Sequence, residues 1–250
     1  MTVLVEQLDA VTVVTINRPE ARNALDAETM AGIGEAFAAA EWNPEVRAVM
    51  LTGAGDRAFC AGMDLHAFAE GGAIIDESRP GLEVFTQRIF PKPVIAAVNG
   101  AAVAGGFELV LACDLVIAAD HVKFGLPEVK RGLVAAGGGT RLPRRIPLAV
   151  ALELGLTGET FGPQRALELG LVNRVVPGDR LRTEALALAQ GIARNGPLAL
   201  KVTKELMWAE VKGLDGKAIE EASRGVFASA DALEGARAFA EKREPVWQGR

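Results

Sequence analysis

The chain has 250 residues, half of them hydrophobic and a quarter charged, with a formal net charge of −5. That length supports one large domain, or a domain with an appendage, around a substantial core, and the composition excludes a disordered or fibrous protein. The mild acidity gives no general attraction for nucleic acid or for an anionic membrane surface.

The first residues, Met1-Thr2-Val3-Leu4-Val5-Glu6, lack the basic segment and apolar stretch of a signal peptide, and no uncharged apolar run is long enough to span a bilayer. A soluble protein in the reducing cytoplasm is the expectation. Residues 11–17 alternate and are rich in β-branched side chains, which predicts a strand, stopped by Asn17-Arg18-Pro19. A helix is expected from about Asp26, with Met30, Ile33 and Phe37 as its buried stripe. Residues 46–52 form a second expected strand, ended by Gly53-Ala54-Gly55-Asp56. The glycine-containing, weakly periodic stretch from Gly71 to Arg79 reads as a mobile loop.

Val94-Ile95-Ala96-Ala97-Val98 is a third expected strand, followed by a helix from about Gly106 to Cys113 and a fourth strand over residues 115–118. This alternation argues for an α/β core. After about Pro177 the pattern changes. Leu181, Ala185, Leu188 and Ile192 recur at helical spacing, as do Ala199, Val202, Leu206 and Ala209, with Pro197 suited to a first helical turn. No strand pattern follows. We expect an α/β body and a helical appendage whose apolar faces pack on this chain or on a partner.

Three stretches carry chemistry. In Arg57-Ala58-Phe59-Cys60-Ala61-Gly62-Met63-Asp64-Leu65, small residues let a ligand approach the backbone, where free N–H groups stabilise a developing oxyanion; alone, the glycine marks only a turn. In Ala104-Gly105-Gly106-Phe107-Glu108, an acid follows a Gly-Gly turn in the most apolar part of the chain. A carboxylate is costly to bury there, and unpaired N–H groups at a helix start favour negative charge. The plainer alternative is a tight turn with Glu108 capping backbone donors. In Phe124-Gly125-Leu126-Pro127-Glu128, the proline holds Glu128 on a defined turn, and a surface glutamate is the alternative. Gly137-Gly138-Gly139 lacks the lysine of a phosphate-binding loop. Cys60 and Cys113 lie among small apolar residues and read as buried thiols. They and the two histidines form no metal-binding pattern.

Taken together and in order, these stretches resemble the enoyl-CoA hydratase/isomerase (crotonase) superfamily. Asn17-Arg18-Pro19 with Asn23-Ala24-Leu25, the run from Pro91 to Gly100, and Ala166 through Gly170-Leu171-Val172 to Pro177 add to the likeness, as does Phe239-Ala240-Glu241-Lys242-Arg243. The resemblance implies a spiral of repeated β-β-α units over residues 1–190, with a helical region over residues 191–250 that drives assembly into a homotrimer or homohexamer. It implies an acyl-CoA thioester as substrate, coenzyme A being part of it and no separate cofactor being needed. The thioester oxygen would lie between the N–H groups of Ala61 and Gly105. Glu108 would activate water and Glu128 deliver a proton, while Arg22, Ala24, Met63, Asp64 and Leu65 would follow the coenzyme A arm, with Arg57, Phe239, Lys242 and Trp247 as further candidates. Keeping both acids favours a hydratase; an isomerase, a carnitinyl-CoA-type dehydratase or a non-catalytic scaffold are the alternatives. Ala136 stands where that family commonly has glycine, and Lys130 and Arg131 stand where it has apolar residues, so the acyl pocket is expected to differ.

Overall fold

The computed structural model describes residues 1–69, 76, 78–211 and 223–250. Much of the expected loop from Gly71 to Arg79 lies outside the described residues. Within the described part, strands β1 (Val3–Leu8), β2 (Val11–Ile16), β3 (Ala48–Gly53), β5 (Val94–Val98), β7 (Leu115–Ala119) and β9 (Arg174–Val176) form a six-stranded sheet in the order β1-β2-β3-β5-β7-β9. β1 and β2 are antiparallel, and the remaining neighbours are parallel. Three shorter strands, β4 (Ala58–Cys60), β6 (Ala101–Val103) and β8 (Phe124–Gly125), form a second, parallel sheet in the order β4-β6-β8.

The two sheets are built by a repeat. Each long strand β3, β5 and β7 is followed by a short strand, β4, β6 and β8, and then by a helical turn, so the chain winds as a spiral of β-β-α units. All five residues of β5 are buried, as are four of the five in β7, because both faces of the large sheet are covered. This matches the continuous apolar runs expected of a doubly covered parallel sheet. Helix α1 (Ala27–Trp42) begins as anticipated: Asp26 accepts a hydrogen bond from the Thr29 N–H, and Ile33 and Phe37 are fully buried. Phe37 stacks on Phe85 of the short helix α3 (Glu83–Thr86), with ring centroids 4.0 Å apart.

Helices α5 (Leu148–Thr157) and α6 (Pro163–Glu168) lie between β8 and β9, and α7 (Leu181–Ala193), α8 (Pro197–Val211) and α9 (Ala230–Glu241) follow β9. α7 packs across β2, β3, β5 and β7, burying Leu181, Ala185 and Ala189. α8 is tied down by Lys204, whose ammonium lies 2.6 Å from the Asp114 carboxylate and also donates to the Lys92 carbonyl. β9 ends at Val176, and no described residue beyond it forms a strand. β1 escapes the sequence pattern because it is a largely exposed edge strand with an irregular burial order, and β4, β6 and β8 escape it because two or three residues carry no readable period. No described helix is long and apolar enough to cross a membrane.

Candidate active site

The small sheet delivers the site. Each of its strands leads into one of the three chemical stretches: β4 to Ala61, β6 to Ala104, and β8, after Leu126, to Pro127. All three open onto one cleft of about 840 Å³, lined among others by Met63, Gly105, Glu108 and Glu128.

Helix α4 (Gly105–Ala112) starts from a strained residue. Ala104 has φ 51° and ψ −131°, a conformation costly for a side-chain-bearing residue and stable only when its surroundings impose it. Those surroundings are visible. The Ala104 N–H donates to the Gly125 carbonyl at 2.9 Å, and the Ala104 carbonyl accepts from the Phe107 and Glu108 N–H groups. Behind the helix, the Phe107 ring packs against Phe124 and Phe161, with centroids 5.5 and 5.7 Å away. Gly106 is confined by close approach, since a Cβ there would sit 2.0 Å from the Cys60 carbonyl oxygen. Burial pushes the Cys60 thiol up to about 12, so it is inert packing under the helix.

One expectation needs correction. The Ala61 N–H is not free: it donates to the Arg22 carbonyl at 3.1 Å. The available donor lies two residues further on. The Gly62 carbonyl accepts from the Leu25 N–H and the Asp64 N–H donates to the Leu25 carbonyl, a bridge that leaves the intervening Met63 N–H without an acceptor among the described residues. The Gly105 N–H, at the first position of α4, is likewise unused there. The two donors lie close together across a tight seam: a Cβ on Gly105 would lie 3.7 Å from the Met63 nitrogen, and one on Gly62 only 2.9 Å from the Gly105 nitrogen. Gly62, at φ 87°, is therefore required both for its turn and for this approach. The two unspent backbone donors here are thus those of Met63 and Gly105, not Ala61.

Glu108 is 8 % exposed, and its carboxylate is held rather than stranded. Its Oε1 accepts from the Gly139 N–H at 2.8 Å, and a Cβ on Gly137 would lie 2.6 Å from Oε2. The triple-glycine run thus lets the backbone close over Glu108. Glu128 sits in the 3-10 turn Pro127–Arg131, closed by Gly132 at φ 68°, and the Glu128 carbonyl accepts from the Leu133 N–H. Its Oε2 is buried with no partner among the described residues. Burial, with the nearby Glu108 charge adding to it, raises the Glu128 carboxyl above the usual carboxylate range, while a hydrogen bond from its own backbone opposes the shift. One cleft therefore holds a carboxyl that keeps its proton more readily than an ordinary one, a second glutamate beside it, and two unspent backbone donors.

Of the remaining expected contacts, Met63 and Leu65 line the cleft, whereas Arg22, Ala24 and Asp64 do not. Asp64 accepts from the N–H groups of His66 and Ala67 at the start of helix α2 (Leu65–Ala69) and from Arg18 at 3.1 Å. Burial, the largest single influence, raises its carboxyl, but the Ala67, Arg18 and His66 bonds together outweigh it and leave it below the usual range. Arg18 also reaches the Ala24 carbonyl and Asp26, and the fully buried Asn23 donates to the Ala54 and Ala58 carbonyls. The Asn-Arg-Pro and Asn-Ala-Leu stretches are thus a clasp that sets the backbone around Met63, a role that no sequence period announces. Arg57 and Phe239 are exposed. Trp247 donates to the Arg194 carbonyl at 2.7 Å and packs on Gly196 and Gly235, so its ring is engaged within the helical region.

The enoyl-CoA hydratase/isomerase family model matches residues 6–250. Carnitinyl-CoA dehydratase from Escherichia coli is 43% identical over 251 residues, covering 95% of this chain and 94% of that protein. Among solved structures, an enoyl-CoA hydratase from Mycobacterium tuberculosis H37Rv superimposes with a TM-score of 0.92 at 48% identity, covering 100% of this chain and 99% of that one. An enoyl-CoA hydratase from Bacillus anthracis gives 0.91 at 36% identity, with both chains covered completely. Fold and site together define a spiral α/β protein whose cleft brings two glutamates beside two unspent backbone donors. The chain belongs to the enoyl-CoA hydratase/isomerase family.

Proposed function

We propose that this protein is an enoyl-CoA hydratase, adding water reversibly across the 2,3 double bond of an enoyl-CoA thioester. The observation that carries the proposal is the meeting of Glu108 and Glu128 in one cleft beside the Met63 and Gly105 N–H groups. The thioester oxygen lies between those two donors, which stabilise the enolate-like charge as it develops; losing one such donor typically costs ~2.7–4 kcal/mol. Glu108, its Oε1 fixed by Gly139, takes a proton from the attacking water as oxygen bonds to C3. Glu128, whose carboxyl keeps its proton more readily than an ordinary one, donates to C2. Each turnover leaves both acids with exchanged protonation, restored by a proton transfer between them, so they titrate as a coupled pair. The net addition moves no electrons to or from an external acceptor, and coenzyme A enters as part of the substrate.

Run in reverse, the same groups dehydrate a 3-hydroxyacyl-CoA, the direction suggested by the relatives named carnitinyl-CoA dehydratase. Isomerisation moves a single proton and needs a single base, so the pair of acids speaks for hydration. The proposal includes a cytoplasmic setting. It also includes a homotrimer or homohexamer formed through residues 191–250, on which exposed Met207, Val211 and Leu233 offer apolar contact area. The test is direct: incubation with 2-enoyl-CoA thioesters should yield the 3-hydroxyacyl-CoA, heavier by one water. A product of unchanged mass with a shifted double bond would favour an isomerase. Unchanged substrate across chain lengths, with no acyl-CoA binding, would favour a scaffold.

A further inference from the structure

The cleft continues past the two acids. Thr86, Gln87 and Arg141 line both it and a small annex of about 90 Å³, whose other walls include Ala112, Arg88, Arg144 and Lys204. The helix gives this extension a direction. Gly105, Glu108 and Ala112 follow one another along α4, which rises about 1.5 Å per residue, so Ala112 lies roughly 10 Å beyond Gly105. An acyl chain with its thioester oxygen at Gly105 and its C3 near Glu108 extends toward the annex. This direction rests on the hydratase reading.

The annex is basic. Arg88 is paired with Glu41, and Lys204 with Asp114, the one carboxylate among its lining residues. Arg141 and Arg144 form no ion pair with any described residue. Asp76 and Glu83 line the cleft but not the annex, and both are engaged locally: Asp76 accepts from the Ser78 N–H and hydroxyl, and Glu83 from the Gly81 N–H. Phe85, Ile89, Phe90, Leu111 and Trp208 give the annex apolar walls as well, so an apolar acyl terminus would find contact there but would strip water from two guanidinium groups without pairing them. A cationic terminus would meet like charge. A carboxylate would meet a planar donor fork shaped for it.

We propose that the acyl group this protein takes ends in a carboxylate, held at the annex by Arg141 with Arg144 beside it. The test uses saturated thioesters, which bind but are not hydrated: succinyl-, glutaryl-, adipyl- and suberyl-CoA against their straight-chain monocarboxylic counterparts, with a trimethylammonium-terminated acyl-CoA as the cationic probe. Calorimetric titration should give dissociation constants at least about tenfold lower for the carboxylate-ended member at the best chain length, the change that one charge-assisted hydrogen bond supports. The cationic probe should bind weakest. Arg141→Met should bring the ratio of each pair close to one, and Arg144→Met, at an exposed position, should lower it partway. The ratio is taken within each variant, so a general loss of affinity does not imitate the effect. Equal affinities in the wild-type protein, tighter binding of the cationic probe, or a preference that survives Arg141→Met would overturn the proposal. Failure of the hydratase reading would show separately, as intact carboxylate preference with no hydration of any enoyl-CoA.

Discussion

The two sheets of this protein divide its labour. The large sheet is long-stranded, buried on both faces and chemically silent: Ile95, Ala96, Val98, Ile117 and Ala118 are fully buried and contribute nothing to the cleft. The small sheet has strands of only two or three residues, buried at Phe59, Ala102 and Phe124, and each strand is followed within three residues by a donor or an acid of the cleft. Burial on the first makes it possible to carry strain on the second, where Ala104 sits in an unfavourable backbone conformation and two N–H groups are left unspent. Stability and reactivity are thus separated within one repeat, long strand for one and short strand for the other.

That division can be tested by perturbing each side. The largest expected effect is on stability: Ile117→Ala, in a fully buried strand, should cost about 2–5 kcal/mol in denaturant unfolding while leaving kcat unchanged below the transition. Next, replacing the Met63 amide by an ester, through the corresponding α-hydroxy acid, should slow hydration about 10²–10³-fold by deleting one oxyanion donor. The same replacement at Ala61, whose N–H is spent on Arg22, should lower Tm while keeping hydration within a few fold of wild type. If the Ala61 ester were the slower enzyme, the donor would be Ala61 after all. Gly106→Ala should lower both Tm and activity, because its Cβ would collide with the Cys60 carbonyl and displace α4.

The smallest effect is a pH dependence. A carboxyl whose folded pKa lies above its unfolded value binds its proton more tightly in the fold, so stability falls as pH rises from the unfolded value through the folded one. Glu128→Gln removes that cost. Its Tm should match wild type at acid pH and exceed it at neutral pH, a small gain measured by calorimetry across the pH range. Loss of the Glu128 proton should also make wild-type hydration decline on the alkaline side.

The same division explains what could be read before the structure. β2, β3, β5 and β7 were legible because β-branched apolar runs between turn residues leave few other solutions, and α1 because Asp26 and its stripe of Met30, Ile33 and Phe37 agree. Glu108 was legible as an anomaly, an acid in an apolar helix start, and the resemblance supplied Glu128 as its partner. The short strands were not legible, since β8 is defined by two residues and by hydrogen bonds to chain far away in sequence. Nor was the choice between Ala61 and Met63. Every residue but proline carries an N–H, and which one is free depends on a carbonyl, that of Arg22, brought up by a loop some forty residues earlier. The clasp of Arg18 and Asn23 was visible only as a motif, its purpose being to shape the backbone around Met63.

The central claim is that the small sheet brings two acids to one water, and it is tested most directly by a single set of rates. Hydration of an enoyl-CoA should be measured for the wild type, Glu108→Gln and Glu128→Gln side by side, with the Tm of each. Loss of a positioned acid or base costs about 10²–10⁴-fold, so both variants should fall by at least ~10² in kcat while their Tm values hold or rise. Wild-type hydration by either variant would contradict the two-acid account.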